Sequence, residues 1–213
     1  MPPSLHLAGY DSAAMERAPF QPVSRAGVEC FRAGEEASRY AAGDFILTHG
    51  DAWTSKLIRF GQRLRIHGAD RKYTHWNHAA MIVSGTGDLI EALGAGVTPT
   101  HISKYTSKEL HLVRVGASSE DHKQAVDFAR WAAGLTGAPR QRYGFITIVS
   151  IAYTLLTGGK FTFGIDGELI CSGLVARAME RTGAIFNRTP THVMPADLAK
   201  YYDVEPPPTS EPL

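Results

Sequence analysis

The 213-residue sequence predicts an α+β domain, a small antiparallel sheet packed against helices. Three observations carry this. Short apolar runs with strand character recur at residues 45–49 (FILTH), 78–83 (HAAMIV), 89–93 (LIEAL) and 110–115 (LHLVRV). A tight glycine-containing turn, SGTGD, joins the second run to the third as a hairpin. Between and after these runs lie longer stretches with apolar residues at helical spacing.

Gly43 and Asp44 punctuate the chain just ahead of FILTH. Trp53, Leu57, Ile58, Phe60 and Leu64 then repeat with helical period. Ser118, Ser119, Glu120 and Asp121 have the composition of a helix start, and the helix runs through QAVDFARWAAG to Gly134 or Gly137. Residues 146–156 predict a buried helix too short to cross a bilayer, which needs about 20 apolar residues. Residues 168–182 predict a third helix, ended by Gly183, and Pro195 opens a short last one, PADLAKYY. Residues 1–38 read as an N-terminal extension, irregular or loosely helical, and 39–203 as the globular domain. The Pro-rich end from residue 204 reads as an extended tail.

Composition narrows the function. Hydrophobic residues make up 44% and charged residues 20%, an ordinary globular balance. A formal net charge of +1 gives no electrostatic reason to expect nucleic acid as partner. No signal peptide or membrane-spanning segment is visible, so the expectation is a cytoplasmic protein, with carriage on a virus particle left open. The two cysteines, Cys30 and Cys171, suit free thiols in a reducing compartment better than a lone disulfide. There is no metal-ligand cluster and no nucleotide motif, so no metal or cofactor is expected. Oligomeric state is not legible.

Three side chains stand out. Cys171 begins an apolar-periodic segment, so its thiol sits on the first turn of a helix, where free N–H groups and the helix dipole favour a thiolate. On residue type and position alone a buried core cysteine is the commoner reading. His78 heads a strand, a rigid mount for an imidazole, with His75 as its rival among nine histidines. Glu91 lies among apolar neighbours in the paired strand and needs a partner if buried. Thiol, imidazole and carboxylate together form a working catalytic unit. Tyr143 reads either as an oxyanion donor or as core packing.

Several stretches, in order, resemble the circularly permuted NlpC-like branch of the papain fold, which includes relatives of lecithin:retinol acyltransferase. They are GDFIL, WNHAAMIV, LIEALGAGVTPTHISKY, LHLVRV, the Tyr143-Gly144-Phe145 segment, ELICSGLVARAM and THVMPADL, spanning roughly residues 40–203. Histidine precedes cysteine here, as in the permuted branch. The resemblance implies a permuted papain-like fold, with Cys171 as nucleophile, His78 as base and Glu91 as the group that orients it. It implies a cysteine-dependent amidase or peptidase acting on peptide-like substrates, cell-wall peptides among them, through an acyl-enzyme. Two alternatives follow from the same likeness: a lipid acyl hydrolase or acyltransferase, and a non-catalytic binding or virion-associated module.

Overall fold

The computed structural model describes residues 24–32, 39–93, 96–135 and 171–207. Along the chain run β1 (Ser24–Phe31), β2 (Phe45–Thr48), α1 (Trp53–Arg65), β3 (His78–Ile82), β4 (Asp88–Leu93) and β5 (Gly96–His101). There follow β6 (Leu110–Gly116), α2 (Ser119–Leu135), α3 (Cys171–Met179) and α4 (Pro195–Tyr202). The strands form one antiparallel sheet in the order β1-β6-β2-β3-β4-β5. The molecule is thus a mixed α+β domain, as its apolar periodicities predict.

The sheet has two apolar faces. Phe45, Leu47, Ala79, Met81, Ile90 and Val113 share one core with the helical residues Leu174, Val175, Met179 and Leu198. Ile46, Ala80, Ile82, Leu89 and Leu112 point the other way, under Ile102 and Tyr105 of a short 3-10 turn. Each fully buried Leu or Ile contributes roughly 1.5–3 kcal/mol. Strands apolar on both faces therefore take the inner positions of the sheet.

Local signals act where the sequence places them. The Ser118 hydroxyl accepts from the Asp121 N–H at 3.1 Å and caps α2. The α3 segment tightens into a 3-10 turn at Glu180–Thr182, and Gly183 ends it in the left-handed conformation at φ 84°. Pro195 opens α4.

Three features differ from expectation. Residues 24–31 are not irregular or helical but form edge strand β1, so the sheet reaches further toward the N-terminus than the sequence predicts. Gly96–His101 is a strand, β5, at the opposite edge, where Pro99 is tolerated. The start of the Pro-rich tail is anchored rather than loose. Tyr73 donates to Asp203 at 2.6 Å, the Trp76 indole donates to the Val204 carbonyl at 2.9 Å, and Lys72 pairs with Glu205. The 146–156 helix lies outside the described residues, as do most of the N-terminal extension and the last residues of the tail.

Candidate active site

Cys171 is the first residue of α3. The next residue, Ser172, is fully buried and donates its hydroxyl to the Val193 carbonyl at 2.7 Å. This bond ties the start of the helix to the segment leading into α4 and fixes where the thiol points. β3 and β4 are in ladder register only at Met81↔Ile90 and Ile82↔Leu89. The backbone N–H groups of Ala79, in β3, and of Ser172 face the Cys171 sulfur and help to lower its pKa.

His78 opens β3, opposite Thr48 of β2. Its ring hydrogen-bonds Cys171 on one side and Glu91 on the other. The Nε2 to Glu91 Oε2 distance is 2.6 Å. A carboxylate accepts only, so Nε2 carries a proton, and Nδ1 is left to serve the thiol. The Tyr105 ring stacks on the imidazole with centroids 5.9 Å apart, limiting its tilt.

Glu91 is fully buried, and its charge is matched by donors on both oxygens. His78 and Tyr105 donate to Oε2, while Thr100 and Lys104 donate to Oε1 at 2.7 Å each. Burial opposes ionisation, but the His78, Lys104 and Tyr105 contacts outweigh it and hold the carboxyl well below its usual range. Burial likewise disfavours the His78 imidazolium. The charges and hydrogen bonds of Cys171 and Glu91 overcome it and lift His78 to about 9. For Cys171 burial pushes the pKa up, and His78 with the two backbone N–H groups pulls it below the ordinary thiol value. The resting site thus favours a thiolate–imidazolium pair beside a permanent carboxylate.

His75, the rival histidine, belongs to a different cluster. It stacks on His49 at 4.0 Å and bonds Glu109 at 2.8 Å. Nearby, the buried His111 lies 4.4 Å from the Trp76 ring and 3.5 Å, Nδ1 to Sγ, from Cys30. Burial holds His111 down at about 4, so it is neutral at neutral pH. Burial and the Glu109 charge push the Cys30 thiol up. Both cysteines are free. Among the described residues no group of three or more His, Cys, Asp or Glu side chains could hold a metal ion.

The structure therefore brings Cys171, His78 and Glu91 together. Tyr143 lies outside the described residues. Sequence reasoning missed Thr100, Lys104 and Tyr105, although all three fall in the THISKY stretch after Glu91. The signal was available, since a buried carboxylate demands several donors. It also gave Asn77 no role. Asn77 is buried and clamps Gly50 from both sides, accepting from its N–H at 3.1 Å and donating to its carbonyl at 2.9 Å. This holds the β2–α1 connection against the residue before the imidazole.

A thiol, an imidazole and a carboxylate in series, on an α+β scaffold, define the site. No protein-family model and no curated protein matches the chain. No helix among the described residues is long and apolar enough to cross a membrane.

Proposed function

We propose that this protein is a cysteine-dependent hydrolase of the circularly permuted NlpC-like branch of the papain fold, cleaving amide bonds in peptide-like substrates, with cell-wall peptides as the leading class. The observation that carries the reading is the chain of contacts from Cys171 through His78 to Glu91, with the thiol at a helix start. The order of the site residues, histidine strand before cysteine helix, supports the permuted branch.

The chemistry follows from the geometry. His78 Nδ1 holds the proton of Cys171, and the thiolate attacks the carbonyl carbon of the amide. The carbonyl π pair moves to oxygen, where N–H groups at the start of α3 can stabilise the charge. The tetrahedral centre collapses as the C–N bond breaks, and His78 gives its proton to the leaving amine. Water, deprotonated by His78, then attacks the thioester, and the acid leaves with Cys171 restored. Glu91 keeps Nε2 protonated and stabilises the imidazolium throughout.

Alkylation at about pH 6 tests the site without a substrate, since an activated thiol titrates at roughly 3.5–7.5. Cys171 should label much faster than Cys30, whose neighbour His111 is neutral there. His78→Ala should erase most of the difference. Equal rates at the two cysteines in the wild-type chain would sink the nucleophile and favour the binding-module reading. A panel of muropeptides and acyl lipids then assigns the substrate, and turnover of the lipids alone would replace the amidase reading.

A further inference from the structure

Helix α1 is built inside out. An apolar stripe on a helix ordinarily faces the core, yet Leu57, Phe60 and Leu64, spaced three and four residues apart along one side, are 37%, 54% and 41% exposed. The buried side of the helix carries Gln62 instead. Its amide donates to the Trp76 carbonyl at 2.8 Å and accepts from the Ala196 N–H at 2.9 Å. These bonds fix the rotation of the helix, so its apolar residues cannot roll inward without orphaning buried backbone groups.

Cations border the apolar strip. Lys56 and Arg63 are exposed, and neither pairs with a carboxylate among the described residues. The helix contains no acidic residue at all. An isologous second copy would bring these cations against their own images, a like-charge contact. An anionic bilayer surface fits both features, with acyl chains for Leu57, Phe60 and Leu64 and phosphates for Lys56 and Arg63. The helix also starts beside the site. Thr48, five residues before it, pairs with His78, and Asn77 clamps Gly50 in between.

We propose that the outward face of α1 is a docking surface for an anionic phospholipid membrane, which would hold the Cys171 site near the lipid–water boundary. This rests on α1 alone and stands whichever bond the site cleaves.

Co-sedimentation of the full chain with vesicles tests it. The chain should bind vesicles containing phosphatidylserine, bind pure phosphatidylcholine weakly, and dissociate as salt is raised. Phe60→Ser combined with Leu64→Ser should weaken binding roughly tenfold or more, because each large apolar side chain withdrawn from water is worth about a decade of affinity. Lys56→Gln combined with Arg63→Gln should remove the preference for phosphatidylserine. Melting temperature and Cys171 labelling should stay at wild-type values in both variants. Absence of vesicle binding, or binding unchanged in both variants, overturns the proposal. So does a dimer that the Phe60 and Leu64 variant dissociates, which assigns the face to a second copy. A collapse of the melting temperature in that variant also overturns it, since the strip would then be covered by the chain itself.

Discussion

Four donors converge on the two carboxylate oxygens of Glu91, and an amide there could receive only some of them. In Glu91→Gln the amide oxygen can still accept from His78 and Tyr105, which preserves the Nε2–H tautomer. The amide NH2 then faces Thr100, whose hydroxyl can turn to accept, and Lys104, which is 41% exposed and can swing into water. What is lost is charge. The rate of amide cleavage should therefore fall, but by less than the ~10⁴-fold seen when an amide leaves the imidazole in the wrong tautomer, and by less than in Cys171→Ser. Without the carboxylate the imidazolium is less favoured, so the alkaline limb of the pH–rate profile should move down from about pH 9. Steady-state rates across pH check both, and unchanged kinetics would make Glu91 a bystander.

At the scale of elements, α1 depends on the buried side chain of Gln62. Gln62→Leu nearly conserves volume and adds apolar surface, yet it leaves the Trp76 carbonyl and the Ala196 N–H without their partner. Each of these two buried groups costs roughly 1–3 kcal/mol, against about 2 recovered by burying a leucine, so net destabilisation of up to about 4 kcal/mol is expected. Denaturant unfolding measures it, and a stabilised variant would contradict the account. The same helix shows where the sequence is legible and where it is not. Apolar period announces a helix over Trp53–Arg65 but not which way the stripe points, because the Trp76 carbonyl and the Ala196 N–H that meet Gln62 decide that. The four inner strands are legible because apolar residues on both faces leave a dense run. The edge strands are not. β1 is interrupted by Gly27 at φ 133° and carries Glu29 toward Arg114, and β5 contains Pro99, since an edge needs only one pairing neighbour. In the site, Cys171, His78 and Glu91 are each weak candidates by residue type and element position, and it is their combination and the family resemblance that single them out. The need of a buried Glu91 for several donors is legible, but not which residues supply them, because Lys104 and Tyr105 reach Glu91 only through the turn after β5.

For the whole molecule, the histidines that burial holds low should make stability fall as the solution turns acid. His111 is held at about 4, against about 6.5 in an unfolded chain. Between those values the unfolded chain binds a proton that the fold refuses, so this contribution is complete above about pH 6.5 and is lost as pH falls toward 4. His75, also held low by burial, acts with the same sign. His78 runs the other way, since its raised pKa favours the fold below about 6.5 and that gain fades as pH rises toward 9. The lowered pKa of Cys171 opposes it, so the slopes of the pair subtract. The melting temperature should fall from pH 6.5 to 5, above the range of ordinary carboxylates at about 4. His111→Phe keeps an aromatic ring beside Trp76 and should flatten that slope. A slope as steep as wild type would show that other groups set the limit.

The bonds between the tail and the histidine loop carry a consequence for how the chain breathes. Asp203 and Val204 hold Tyr73 and Trp76, and Trp76 lies two residues before the imidazole. The loop cannot lift from the sheet until the tail lets go, and the tail cannot leave without uncovering an indole buried in the core. In hydrogen-exchange terms the two segments should open as one unit, with amides sharing a protection factor although about 130 residues separate them in sequence. The seating of His78 is thereby tied to Asp203 and Val204, and a protease that trims past Val204 acts on that imidazole without touching it.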